Sequence, residues 1–489
     1  MQNAVTETTE YDVIVLGAGA VGENIADRAV QGGLTTVIIE SELVGGECSY
    51  WACMPSKALL RSAQALRAAR RVPGAAQAVT GEVDVQAVLA HRDYYTSNWD
   101  DKGQVNWLGS AGIDLVRGHG RITGPKEVTV TAPDGTTTIL TARHAVAIST
   151  GSGALVPDID GLRDAKPWTS REGTSARSVP ESLAVIGGGV VATELATAFA
   201  GFGAKVTLIA RSGLLSDMEP FAGEMVAKGL EEQGVTVLLN TVTTRVTRSE
   251  SGVVTVETGD GQTITAQEVL VATGRTPRTE DIGLETIGLK SGDWLDTDDT
   301  LLVPGFDWLY AAGDVNKRAL LTHQGKYQAR AAGDVIAARA NGNLVSDAPW
   351  GTHVATADHA AVPQVTFTEP EVASVGLTAK AAEAAGYDIR AVDYEIGWVA
   401  GAGLHAEGYT GTARMVVDEK RQVVLGATFV GPDVSELLQA ATIAIVGEVP
   451  IARLWHAVPA YPTINEIWLR LLETYGRPAP VELPLAAAA

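Results

Sequence analysis

Two residues in this chain could exchange electrons with each other and with a substrate: Cys48 and Cys53. They are the only cysteines among 489 residues, and they lie five positions apart. A structural disulfide framework uses more bridges over wider spans. Closing so short a ring would constrain the unfolded chain by only about 2 kcal/mol in the chain-entropy model. The pair therefore reads as redox-active, cycling between disulfide and dithiol, rather than as a staple. No resident metal site is read from the sequence.

Electrons need a carrier, and two glycine motifs supply places for one. Gly17-x-Gly19-x-x-Gly22 follows the apolar, β-rich run Tyr11–Leu16 and opens a helical stretch to about Gln31. The next strand, Thr35–Ile39, ends in Glu40, 21 residues beyond Gly19. Glycines allow a tight turn and close approach to a pyrophosphate, the helix start adds partial positive charge, and the acid can bind ribose hydroxyls. The same grammar recurs at Leu183–Ile186, Gly187-x-Gly189-x-x-Ala192 and Ala204–Ile209. There Arg211 stands near the strand end where an acid would bind a ribose hydroxyl. A guanidinium can take a 2′-phosphate that a carboxylate would repel. This favours NADPH as the hydride donor, with NADH as the alternative.

Other elements are arranged around these. Ala145–Ile148 runs into Ser149-Thr150-Gly151, and Glu268–Val271 into Ala272-Thr273-Gly274; both read as strands stopping at a small-residue turn. Trp308–Ala312 is another strand, ending in Gly313-Asp314. After about residue 355, strands Pro363–Phe367, Ala413–Asp418 and Val423–Val430 and a helix Asp433–Val446 indicate an α+β module. The length predicts about three domains. A formal net charge of −21 opposes nucleic acid and anionic membranes. No apolar run reaches the roughly 18–20 residues of a membrane span. The polar start Met1–Glu10 has no secretory pattern, so the cytosol is expected.

The stretch Gly45-Gly-Glu-Cys48-Ser-Tyr-Trp-Ala-Cys53-Met-Pro-Ser-Lys57 resembles the active-site segment of the class I flavoprotein disulfide reductases: dihydrolipoamide dehydrogenase, glutathione and mycothione reductases, and mercuric reductase. It fits their pattern Gly-Gly-x-Cys-x4-Cys-x-Pro-Ser-Lys at every fixed position. The resemblance extends over nearly the whole chain, through Ala272-Thr-Gly274, Gly313-Asp314 and the segment from Val362 to Thr378. It implies an α/β fold: two Rossmann-like dinucleotide-binding domains plus a C-terminal α+β dimerisation domain. FAD would bind to residues 1–155 and 281–355, and NAD(P) to 156–280. Residues 356–475 would form the interface of a homodimer, with a flexible tail at 476–489. Hydride would pass from nicotinamide to flavin to disulfide. By this resemblance Cys53 is the flavin-proximal sulfur and Cys48 the outer thiol that meets the substrate. Lys57 and Glu194 occupy the positions of an ion pair near the flavin, and Asp314 that of the ribitol ligand.

One departure matters. Disulfide-reducing members carry a His-Pro-Thr segment, supplied by the partner subunit, whose histidine moves protons. Here the segment reads Ala460-Tyr461-Pro462-Thr463, with the associated acid kept as Glu466. Imidazole titrates near pH 6.5 and a phenol near 10, so Tyr461 is a poor substitute at neutral pH; His456 is the nearby alternative. Mercuric reductase and the soluble pyridine nucleotide transhydrogenase share a tyrosine here. The first has a C-terminal cysteine pair that this chain lacks, and the second lacks the redox pair that this chain has. The expected function is reduction of a disulfide or another soft, small-molecule electrophile by NADPH through FAD and Cys48–Cys53. The alternatives are a quinone or dye reductase or transhydrogenase using flavin directly, a dihydrolipoamide dehydrogenase, a mercuric reductase-like enzyme, and a flavin redox sensor without turnover.

Overall fold

The structure, a computed structural model, describes residues 8–477. Most of the expected flexible tail, and the first seven residues of the polar start, lie outside that range. Contacts divide the chain into two units. The first comprises the residues up to Gln64, Glu82–Leu214 and Leu230–His359; the second comprises Ala65–Gly81, Leu215–Gly229 and the chain from Ala360.

In the first unit, strand β1 (Thr8–Leu16) is buried on both faces from Val13 to Leu16. That is why it reads as a continuous apolar run rather than an alternation. The chain turns at Gly17, whose φ of +95° favours glycine, and enters helix α1 (Ala20–Gln31). Gly22, Ile25, Ala26 and Ala29 recur at helical spacing and are buried. Strand β2 (Thr36–Glu40) pairs in parallel with β1, Leu16 opposite Ile39. Glu40 is thereby delivered to the carboxyl end of the sheet, beside the Gly17 turn. The seven-stranded sheet continues from β1 to Thr137–Ile148, then Glu127–Thr131 and His119–Gly124; Asp114–Arg117 lies beyond β2, and Leu309–Ala311 pairs with Thr137–Ile148.

A second sheet in the same unit is parallel throughout, in the order Thr236–Leu238, Lys205–Ile209, Ser182–Ile186, Glu268–Val271. The sequence reading did not anticipate a three-stranded antiparallel sheet, Thr243–Arg248, Val254–Thr258 and Thr263–Ala266. Its strands are short, and threonines and charges interrupt the apolar positions.

The second unit holds a five-stranded antiparallel sheet, ordered Gln364–Thr366, Glu371–Gly376, Val423–Gly431, Thr412–Asp418, Ile389–Glu395. The central strand is buried at all nine positions. The expected helix from Asp433 begins instead with a 3-10 turn, Val434–Leu437, before Leu438–Val446. Its N-terminal stretches are joined to it tightly: Arg67 pairs with Glu369, and a Cβ on Gly229 would lie 2.1 Å from Glu369 O.

The second and third glycines of the first motif are predicted to respond differently to alanine. A Cβ on Gly22 would lie 1.9 Å from Gly17 O, whereas one on Gly19 would have only Gly46 Cα at 4.0 Å. Gly22→Ala should cost about 3 kcal/mol through overpacking. Gly19→Ala should cost about 1 kcal/mol, through a poorer helix cap. Urea denaturation checks both.

Candidate active site

The redox motif is built onto the first glycine turn. Gly45 donates its N–H to Ala18 O at 2.7 Å and forms an isolated parallel bridge with Gly19. Gly45 and Gly46 have φ of +110° and +60°, and a Cβ on Gly46 would lie 2.9 Å from Gly19 Cα. Two glycines are needed because two backbones cross here without side chains. The chain then forms helix α2 (Gly46–Tyr50), which carries Cys48, and helix α3 (Cys53–Arg70), which Cys53 begins.

Both sulfurs are half-buried and hydrogen-bonded to each other. Cys53 Sγ also lies 3.3 Å from Thr322 Oγ1, and Thr322 is the first residue of the helix Thr322–Ala340. Two long helices thus begin at this sulfur, and the partial positive charge of a helix start favours a thiolate. The Cys53 thiol is held below its ordinary value. The hydrogen bond from Cys48 is the main cause, opposed by burial and assisted by Thr322 and the Lys57 charge. Cys48 is pushed well up, first by its bond to Cys53 and then by burial. In the dithiol state the two helix starts and Thr322 favour negative charge on Cys53 over Cys48.

Lys57, one turn along α3, donates to Glu194 Oε2 at 2.7 Å. Glu194 sits on the helix Val190–Gly201, which follows the second glycine motif, and is 3% exposed. Only the carboxylate is buried; the Lys57 side chain is 37% exposed, so solvent screens the pair, but removing Lys57 would leave the Glu194 charge buried without its cation. The pair therefore ties the redox helix to the second nucleotide fold within the unit.

A groove of about 250 Å³ opens along these parts. Its lining runs from Glu40, past Gly17, Gly19 and Thr150, to Cys48, Thr322 and Asp314. Glu40 accepts from Ala18 N (2.8 Å) and Glu42 N (2.7 Å), while burial raises its carboxyl above the usual range. Asp314 accepts from Ser152 Oγ at 2.5 Å. Thr150 Oγ1 is buried with no partner among the described residues, a penalty that a ligand's polar group would remove. An open glycine turn at a helix start, acids at separate points of the lining, an orphaned hydroxyl and a sulfur pair in the same groove fit a flavin dinucleotide. Gly151 and Gly313 line the same groove.

At the second motif Gly187 has φ +136° and would bring a Cβ within 2.2 Å of Ala272 O. Gly189 has no atom within 4 Å of that position, Ala192 is fully buried, and Gly274 has φ +150° at the end of its strand. Arg211 is exposed, with no ion-pair partner among the described residues.

Tyr461 and Glu466 belong to the second unit. Tyr461 is 77% exposed, and Glu466 is buried with Oε2 accepting from Gly401 N at 3.3 Å. Glu466 thus joins the starts of two helices, Ala400–His405 and Glu466–Tyr475. His456 is exposed.

The sequence reading missed several contributors. Thr322 belongs to no motif, and only the fold puts it against Cys53. Glu47 accepts from Arg171 (2.9 Å) and Arg278 (2.5 Å), two cations far away in sequence. Trp99 donates its indole N–H to Tyr50 O at 3.2 Å. It is carried by three consecutive non-glycine residues in the left-handed region, Ser97, Asn98 and Trp99, with φ of 50°, 52° and 58°. Each costs roughly 1–2 kcal/mol.

Known proteins resemble this arrangement along most of its length. The family described as "Pyridine nucleotide-disulphide oxidoreductase" matches residues 11–336, and the dimerisation domain of that family matches 362–471. Mercuric reductase from Staphylococcus aureus is 30% identical over 94% of this chain and 81% of its own. Dihydrolipoyl dehydrogenase from Chlorobaculum tepidum is 31% identical over 95% of this chain and 97% of its own. Among solved structures, the Cu(II) complex of the HOCl-induced flavoprotein disulfide reductase RclA from Escherichia coli has the same fold, with a TM-score of 0.81 at 23% identity over 95% of this chain and 99% of that one. The dimerisation domain indicates a homodimer, and no helix among the described residues is long and apolar enough to cross a membrane. The chain belongs to the pyridine nucleotide-disulphide oxidoreductases, flavoproteins that bind FAD and pass electrons between NAD(P)H and a disulfide.

Proposed function

We propose that the chain is a cytosolic, NADPH-dependent reductase that works through Cys48–Cys53 on a small disulfide or another soft electrophile. The observation that carries this reading is the unequal pair of sulfurs: Cys53 held as thiolate by two helix starts and Thr322, with Cys48 beside it as the protonated thiol. Bound FAD supplies the two-electron link between nicotinamide and sulfur. Residues 1–155 and 281–355 would hold it: Glu40 at the ribose, the Gly17–Gly22 turn and α1 at the diphosphate, and Thr150, Gly151, Gly313 and Asp314 along the rest of the groove. Residues 156–280 would hold the nucleotide, with Gly187, Gly189, Ala192 and Gly274 at its turns and Arg211 at a 2′-phosphate. Lys57, fixed by Glu194, places a positive charge one turn from Cys53.

The chemistry balances in two electrons. A hydride equivalent, two electrons and one proton, converts the disulfide to the Cys53 thiolate and the Cys48 thiol. Cys48, once deprotonated, attacks the substrate disulfide and expels one half as a thiolate. Cys53 then attacks Cys48 in the mixed disulfide, releasing the second half and restoring the Cys48–Cys53 bond. The proton carrier for Cys48 would come from the partner's copy of the Tyr461 segment, where a phenol is a slow base at neutral pH.

A second reading, direct reduction of quinones, dyes or a second nucleotide by flavin, is favoured by that tyrosine and by Glu466 being engaged with Gly401 N.

Serine at Cys48 or Cys53 decides between the two. Disulfide reduction should be lost in both variants, whereas retained turnover of every acceptor would make the flavin the working group. Arg211→Ala should raise KM for NADPH by roughly 10–100-fold, as expected for a lost charge-assisted contact, and leave NADH unchanged. In the reduced protein, absorbance at the thiolate band should report one thiolate formed below the ordinary thiol value of about 8.5, and lost as pH falls through its lowered value. The second thiol should stay protonated well above that value.

A further inference from the structure

Helix α2, which carries Cys48, is only five residues long, too short to hold its own geometry in water. Its exit toward Cys53 runs through the carbonyls of Tyr50 and Trp51. Each accepts one hydrogen bond from outside the motif: Tyr50 O from Trp99 Nε1 at 3.2 Å, and Trp51 O from Thr174 Oγ1 at 2.8 Å. These two donors are joined by Arg92, a guanidinium 1% exposed. Its Nη1 donates to Thr174 O at 2.6 Å and its Nη2 to Ala176 O at 3.1 Å, and its Cζ lies 5.2 Å from the centre of the Trp99 ring. Arg177 lies 4.8 Å from the same ring. The left-handed turn Ser97–Trp99 is what aims the indole at Tyr50 O, and such strain persists only where the surroundings over-determine it.

We infer that Trp99 and Thr174 are positioning residues for the redox pair, setting the balance between its disulfide and dithiol states by holding the peptide between the two sulfurs. The inference rests on the proposed redox role of Cys48–Cys53. Fixing that peptide raises the effective concentration of one thiol at the other, which favours the closed disulfide. A loosened peptide shifts the pair toward the dithiol and makes it a stronger oxidant.

The test equilibrates the FAD-loaded enzyme in glutathione redox buffers and counts open and closed pairs by alkylation and mass spectrometry. Trp99→Phe keeps a ring for Arg92 and removes only the N–H; Thr174→Val keeps shape and removes only the hydroxyl. Each should lower the equilibrium constant for disulfide formation about fivefold, roughly 20 mV for a two-electron couple. Asn98→Gly relieves the left-handed turn while leaving the indole in place; it should raise the melting temperature and keep the wild-type equilibrium. Wild-type values in both Trp99→Phe and Thr174→Val would overturn the inference, as would a shift in Asn98→Gly. If Trp99→Phe does not fold, Thr174→Val alone decides. A wild-type enzyme that forms no disulfide in any buffer would refute the redox role itself, a result distinct from unshifted variants.

Discussion

The site depends on one close approach of two backbones. Gly19, at the start of α1, and Gly45–Gly46, at the start of α2, meet with a bridge and a 2.7 Å hydrogen bond from Gly45 N to Ala18 O. That contact puts the redox cysteines in the lining of the dinucleotide groove instead of elsewhere on the surface. A side chain at Gly46 would push the two turns apart and separate the sulfur pair from its electron source. The glycines do two jobs at once: at Gly17 and Gly22 they make the turn tight, and at Gly19 and Gly46 they let a second turn settle upon it.

Around this contact the sulfurs are made unequal by backbone and side chains together. Cys53 begins one helix and touches the first residue of another, while Cys48 lies within a five-residue helix and keeps its proton. Lys57 lies one turn further along α3 and is held by a carboxylate from the second nucleotide fold. The same ion pair that shapes the field at the sulfur therefore also ties together the elements that must cooperate in electron transfer.

Much of this was legible in the sequence, because its signals are local. The two glycine motifs sit between a strand and a helix, Glu40 and Arg211 stand near their strand ends, and the Cys48–Lys57 segment is one short run. What was not legible comes from residues that meet only in three dimensions. Thr322 and Thr174 carry no motif of their own, Trp99 is delivered by an unusual backbone turn, and Arg278 reaches Glu47 from more than two hundred positions away. The short antiparallel sheet at 243–266 escaped because its polar residues hide the two-residue period. Glu466 accepts from the N–H of Gly401, a contact between the starts of two helices, Ala400–His405 and Glu466–Tyr475, that no spacing rule describes.

The second unit is gathered from three stretches of chain, Ala65–Gly81, Leu215–Gly229 and the part beyond Ala360. On the ribosome, the first stretch emerges long before Glu369, to which Arg67 is tied. At bacterial or eukaryotic synthesis speeds the wait is on the order of tens of seconds. For that interval the nascent first stretch lacks the neighbours that cover it, so the enzyme is exposed to proteases and chaperones at a point fixed by its chain order rather than by its final stability.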